Sequence, residues 1–425
     1  MSMQSSAFEA PQRDRDVIRG LASEIAAVAA LPEQAENARR WQALNDLKPE
    51  RPLVWINEIP WHEMEVDQEL TCLCENDLLR GLERRFRTTL YQWRHMPGDM
   101  VVNGYAPCPR VWSSTGIGLD VQETTIPQNE AGGIQSHHFE AQIEGPEDIE
   151  KIRMPKVSYD EEATRQRQAF LSEVLDGVLP VQVEGVKHIW FTPWDNLIRL
   201  VDMESFMMDM IDRPDFIDGL VGRYVDAKLH ELTQMEALNL FSAGTDNTRV
   251  GSGGYAYTSD LPGDDFDPEH VRPRDLWGCG NAQIFSEISP DMHWEFSLKH
   301  EVRWLKRWGL TYYGCCEPLH NKIDILRRIP NLRKISMSPW ADAGKAAEQI
   351  GSEFVFSHKP SPAVLAEDSW RPQQARDNLK RVLDATRGCP VEVIMKDIST
   401  VRSDPRRLWE WEAIATELVQ EYAAS

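Results

Sequence analysis

From Pro52 onward, short β-branched runs alternate with longer amphipathic stretches, and that alternation is the signature of βαβ units feeding a parallel sheet. The runs lie at residues 53–57, 101–105, 181–184, 238–243, 311–315, 334–337, 353–357 and 391–395. Helical periodicity fills residues 215–237, 291–308, 322–328, 341–350, 373–386 and 404–422. The last four strand–helix repeats follow one another at short, regular spacing, and no G-x-G-x-x-G turn opens a helix near the start. This favours an α/β chain folded as a (β/α)8 TIM barrel over a doubly wound sheet. Ahead of it, Val17, Ile18, Leu21, Ile25, Val28 and Leu31 recur at three- and four-residue spacing, so residues 1–50 read as an N-terminal helical arm and residues 51–425 as the barrel.

Charge narrows the partners. Lys and Arg number 46 against 68 Asp and Glu, a net charge of −22 spread along the 425 residues. Nucleic acid and anionic membrane surfaces need clustered cations, so the expected partner is a small-molecule substrate. No run approaches the roughly 18 apolar residues of a membrane span. Met1–Asp14 lacks the basic-then-apolar order of a secretory signal, so a cytoplasmic location is expected. Seven cysteines are too few and too odd in number for a disulfide framework, which points to reduced thiols. The oligomeric state stays open, with a homodimer among the options.

In such a barrel the chemistry sits where strands end and βα loops begin. After the 311–315 run come Cys315, Cys316, Glu317 and His320; after 353–357, His358; after 391–395, Lys396 and Asp397. Soft thiolates and imidazoles suit Zn²⁺, so Cys315, Cys316, Glu317 and His320 are the candidate metal ligands. Adjacent residues on an extended segment point to opposite sides, so one of Cys315 and Cys316 should face the mouth. His358, Lys396, Asp397 and His188 are the candidate catalytic groups. Fifteen tryptophans are many; Trp61, Trp194 and Trp340, with Tyr257, are candidates for an aromatic substrate wall. Cys279, Glu287 and His293 rank lower. The stretch 244–275, rich in Gly, Asp, Pro and Tyr, is too long for an ordinary connection and reads as a functional loop or lid.

The stretch Trp194 to Ile211 followed by Asp212-Arg213-Pro214-Asp215, the Ile288-Ser289-Pro290 helix entry, the helix end at Trp308-Gly309, the Gly314-Cys315 strand end and the final helix after Asp404-Pro405 together resemble the uroporphyrinogen decarboxylase superfamily, over roughly residues 50–420. Its decarboxylase branch carries an Arg-rich signature after the first strand. Here that place holds Asn57-Glu58-Ile59-Pro60-Trp61-His62-Glu63, acidic and aromatic, which would repel a polycarboxylate. The resemblance lies nearer the cobalamin-linked methyltransferases. It implies methyl transfer between a small methylated substrate and a corrinoid protein or a thiol, with zinc held by a His-X-Cys pair and a later cysteine. The cysteine matches at Cys315 and the histidine does not, while Asp397 takes the place of the later ligand. The chain lacks the Asp-x-His-x-x-Gly signature of a corrinoid domain, so a corrinoid would arrive on a separate protein. The alternative is a metal-independent decarboxylase or lyase acting on a small carboxylic acid through His358, Lys396 and Asp397.

Overall fold

The structure, a computed structural model, describes residues 8–126 and 136–423. The amphipathic N-terminal stretch forms two helices, Gln12–Ala29 and Pro32–Asn45. Proline is tolerated at the first helical turn, where its missing N–H costs nothing, so Pro32 starts the second helix. Ile18, Ala22 and Ile25 recur on one face and are buried. They pack with Leu79 and Phe86 of helix Asp77–His95 and Phe170 of helix Glu161–Leu175, forming a small core of their own.

Among the described residues twelve strands follow in chain order: β1 Leu53–Ile56, β2 Ala106–Pro109, β3 Val111–Ser114, β4 Glu123–Ile126, β5 Ser136–Phe139, β6 Val157–Asp160, β7 Val181–Glu184, β8 Trp277–Gly280, β9 Leu310–Tyr313, β10 Leu332–Met337, β11 Val355–His358 and β12 Val391–Met395. The class is mixed α/β. Its centre is a six-stranded sheet in the order β1-β12-β11-β10-β9-β8, with every pair parallel. Strands β2 and β7 form a separate parallel pair, and β3–β6 and β4–β5 are antiparallel ribbons. Among the described residues these ladders do not close the expected ring of eight. Among the same residues no helix is long and apolar enough to cross a membrane.

Three expectations change. Residues 101–105 form no strand; the ladder begins at Ala106. The 238–243 run contributes only the isolated bridge of Phe241 with Val186, because helix Pro214–Ala237 uses up its start and Asn239 turns the chain at φ +52°. Strand β8 was not foreseen. Two of its four residues are glycine, which weakens any strand signal, yet Gly278 is required there, since a Cβ would lie 2.4 Å from Cγ of Trp308.

The sheet's inner face is polar. Lys334 and Glu392, both fully buried, pair at 2.9 Å. Glu392 also accepts from Ser357 Oγ at 2.5 Å, and Lys359 Nζ donates to the Tyr312 hydroxyl at 2.8 Å and Ser357 Oγ at 2.6 Å. Against this layer lies the long loop expected to act as a lid. Val250, Ser252, Tyr255 and Ala256 are buried, and a Cβ on Gly253 would stand 2.4 Å from Glu392 Oε1 and 2.7 Å from the Tyr312 ring. The segment is therefore a plug packed on β9 and β12, and its glycines admit backbone where a side chain would collide.

Candidate functional site

The carboxyl ends of β1, β9 and β12 bring one cluster together. Glu58 follows β1, Cys315 and Cys316 follow β9, and Lys396 and Asp397 follow β12. Strands β9 and β12 are separated by β10 and β11, which on a flat sheet would set them roughly 14 Å apart at about 4.8 Å per strand. Nonetheless Lys396 Nζ lies 3.5 Å from Cys315 Sγ. The sheet curls so that its strand ends face one another across a mouth.

Local backbone explains why both thiols reach this mouth, against the expectation that only one would. Gly314 takes φ +100°, where a Cβ would lie 2.5 Å from Leu319 Cδ1 and 3.0 Å from Ser336 Cβ. The strand thus ends at Tyr313, and the two cysteines sit on a turn, with their sulfurs 3.6 Å apart. Glu317 fastens that turn from below: fully buried, it accepts from the backbone N–H of Cys315 at 2.8 Å and of Ala282 at 3.2 Å. Ser336 Oγ donates to the Cys315 carbonyl at 2.8 Å.

Electrostatics divides the thiols into unlike roles. The hydrogen bond from Cys316 lowers the Cys315 pKa; burial opposes this, and the Lys396 ammonium adds to the lowering, so Cys315 is held toward thiolate. Cys316 is pushed the other way, first by donating to Cys315 and then by burial. Its thiol also points at Asp397 Oδ2, 3.6 Å away. Lys396 stays protonated: burial lowers its pKa, but Cys315, Asp397 at 2.6 Å and Glu58 at 3.4 Å outweigh it.

Glu58 and Asp397 are a coupled pair. Burial raises both, and the hydrogen bond between them raises Asp397 further while lowering Glu58. Arg249, 2.6 Å from Glu58, and Lys396 bring Glu58 down to about 2. When the pair holds one proton, Asp397 carries it.

Of the remaining candidates, few join this cluster. His188 spends both ring nitrogens on structure: Nδ1 donates to the Trp277 carbonyl at 3.2 Å and Nε2 accepts from Gly251 N–H at 3.0 Å. Burial lowers its pKa to about 4, so it is a neutral anchor for the plug. His358 follows Ser357 on β11 and faces the opposite side of the sheet, into a cavity of about 230 Å³ shared with Pro360, Val364, Asn378 and Trp411. Burial, then Lys359, lowers it to about 3. Trp194 opens helix Pro193–Leu197 fully buried, its Nε1 donating to the Phe296 carbonyl at 3.0 Å, and is core. Trp61 packs edge-on against Tyr91. Tyr257 packs on Tyr255, and its carbonyl accepts from Asn45 at 2.6 Å. Trp340, 77% exposed, stands on the turn after β10, the single expected aromatic left free to meet a ligand.

The expected zinc ligands do not converge. Glu317 is committed to backbone N–H groups under the turn, and His320 lies in the helical turn Leu319–Asn321, beside helix Ala343–Ile350. Among the described residues no group of three or more His, Cys, Asp and Glu side chains is placed to hold a metal ion. The donors present do not fit the four-ligand set that the sequence suggested.

Two residues that the structure brings to this cluster, Glu58 and Arg249, were not among the sequence candidates. Glu58 obeys the same strand-end rule that found Lys396 and could have been found by it. Arg249 sits in the plug, where no periodicity places it. A further buried set lies behind β9: Glu301 Oε2 accepts from the Tyr313 hydroxyl at 2.7 Å, and Tyr313 is 2.9 Å from His293 Nε2. Burial raises Glu301 to about 8. The helix beside it has a π-turn at Trp294–Leu298, which broke the regular helix expected over 291–308.

No protein-family model matches the chain, and no curated protein matches it. Among solved structures the chain is similar to a methyltransferase from Methanosarcina mazei, with 11% sequence identity over 90% of this chain and 98% of that one and a TM-score of 0.49.

Proposed function

We propose that the chain is a methyltransferase of the corrinoid-linked type, built on a (β/α)8-type barrel, that takes a methyl group from a small methylated compound. The observation that carries this reading is the Cys315–Lys396 contact, 3.5 Å, beside the Glu58–Asp397 carboxyl pair, in which the Glu58 pKa is lowered and that of Asp397 raised. Methyl transfer from a compound CH3–X–R needs a nucleophile for the carbon and a proton for the departing heteroatom X. Cys315 supplies the first and Asp397 the second.

The Cys315 sulfur attacks the methyl carbon, the C–X bond breaks, and the Asp397 proton passes to X. S-methyl-Cys315, H–X–R and an ionised Asp397 result. Lys396 sits between the sulfur and Asp397, 3.5 Å from one and 2.6 Å from the other, and balances the charge that moves from one to the other. Arg249 holds Glu58 ionised, which keeps the shared proton on Asp397 until it is needed. A corrinoid protein or a thiol reaching the same mouth then receives the methyl group and regenerates the thiolate. Trp340 offers an exposed wall for an apolar substituent R.

The test is single-turnover incubation of the full chain with a panel of O-, N- and S-methyl compounds bearing deuterated methyl groups. The reading expects labelled methyl on Cys315 with release of one demethylated product, and neither in Cys315→Ser. Absence of both products across the panel, or product release undiminished in Cys315→Ser, contradicts it.

A further inference from the structure

The second thiol has no part in the methyl-transfer scheme, yet it is placed with care. Cys316 lies 3.6 Å from the Cys315 sulfur and 3.6 Å from Asp397 Oδ2, and its one hydrogen serves either contact. The Lys396 ammonium lies 3.5 Å from the Cys315 sulfur and 2.6 Å from Asp397 Oδ2. The other five cysteines lack this arrangement: Cys72, Cys74, Cys279 and Cys389 donate to backbone carbonyls, and Cys108 is buried in apolar packing.

An attacking thiolate, a resolving thiol at sulfur–sulfur contact, a base for the resolving proton and a cation for the leaving hydroxide are the parts of a thiol oxidation site. Cys316 is exposed, so a small oxidant has a path to the pair. We propose that Cys315 and Cys316 form a reversible oxidation site for hydroperoxides, closing to a disulfide between adjacent residues.

The steps balance. The Cys315 thiolate attacks the outer oxygen of hydrogen peroxide; the O–O bond breaks, the sulfur is oxidised to sulfenic acid, and the leaving hydroxide takes the Asp397 proton and departs as water. The Cys316 sulfur then attacks the Cys315 sulfur while its proton goes to the Asp397 carboxylate left by the first step, which passes it to the departing hydroxide. The S–O bond breaks and a second water departs. Two thiols and one peroxide become one disulfide and two waters. The oxidised pair has no free thiolate, so the site is shut until a dithiol reductant reopens it. This proposal rests on the thiol geometry alone and stands whether or not the chain transfers methyl groups.

The experiment treats the full chain with an equimolar amount of hydrogen peroxide, blocks free thiols with N-ethylmaleimide and maps the peptide that holds both cysteines. The expected result is joint loss of both alkylation sites, a peptide lighter by two hydrogens than its reduced form, and recovery with dithiothreitol. In Cys316→Ser, whose substitution lies at an exposed position, Cys315 is expected to stop at sulfenic acid at that dose and to proceed to sulfinic acid when a second equivalent of peroxide is added. Sulfinic acid on Cys315 with Cys316 still alkylated in the parent chain would overturn the proposal. So would full alkylation of both residues at that dose.

Discussion

Glu58 and Asp397 close the ends of two neighbouring strands in the same unusual backbone conformation, φ +50° and +54°, with the Asp397 N–H 3.3 Å from Glu58 Oε2. For a residue with a Cβ this region costs about 1–2 kcal/mol. Both residues bear that cost at the point where β1 pairs with β12. The effect is to turn two carboxyl groups toward one another and toward Lys396, where either alone would run on with its strand.

The pair makes Asp397 the proton donor. Asp397→Asn keeps the shape and the left-handed turn, which asparagine tolerates, and removes the proton. Its turnover should fall by about 10²–10⁴-fold, with thermal stability near that of the parent. Steady-state kinetics beside a melting curve checks this; equal activity would remove Asp397 from the chemistry.

Glu301 gives the fold a pH dependence of its own. Burial raises its pKa to about 8 in the folded chain, whereas an unfolded glutamate titrates near about 4.3. Between these values the folded state holds the proton and the unfolded state does not, so stability is greatest below the unfolded value and declines as pH rises toward 8. The slope contributed is up to about 1.4 kcal/mol per pH unit. Urea denaturation across that range should show the decline, and Glu301→Gln should lose most of it.

The plug makes a steric prediction. At Gly253 a Cβ would stand 2.4 Å from Glu392 Oε1 and 2.7 Å from the Tyr312 ring. Gly253→Ala must displace one of the two, and a cost of about 1–3 kcal/mol is expected for overpacking of this kind. Denaturant midpoints read it directly. An unchanged midpoint would mean that the plug is not seated on β9 and β12.

Beneath the plug, Lys334 and Glu392 form an ion pair without solvent, both fully buried. Lys334→Met leaves Glu392 charged and unpaired, and a loss of about 3–5 kcal/mol is expected. The double variant Lys334→Met, Glu392→Leu should recover much of that loss, because desolvation of the pair roughly offsets its attraction. A double-mutant cycle by chemical denaturation distinguishes this from simple loss of packing.

The parallel sheet was legible because β9 to β12 are short, largely buried runs spaced by helices, and burial on both faces writes that pattern into the sequence. Strand β8 was not, since its glycines serve close contact with Trp308 and erase the hydropathy signal. Cys315, Cys316, Lys396 and Asp397 were singled out by one rule, that reactive side chains follow strand ends, and the structure brings the four into contact. The same rule misled at His358, because a single residue step on a strand reverses the side on which a side chain stands. It also misled at Trp194, which lies well past the end of β7, on helix Pro193–Leu197, with its ring in the core. Glu317 was read as a metal ligand from its neighbours, whereas two backbone N–H groups claim it. No sequence pattern records which buried donor a carboxylate will satisfy.

The pKa of Cys315 is lowered, first by the hydrogen bond from the Cys316 thiol and then, against burial, by Lys396 at 3.5 Å. The direct measurement is the rate of Cys315 alkylation by iodoacetamide as a function of pH, followed by peptide mass spectrometry, in the parent chain and in Lys396→Met. A lowered pKa means that the thiolate is populated at lower pH, so the parent's rate should rise with a midpoint below the roughly 8.5 of a free cysteine, and the midpoint should move upward in Lys396→Met. A parent midpoint at or above that of free cysteine, or one unmoved by loss of the lysine, would contradict the account.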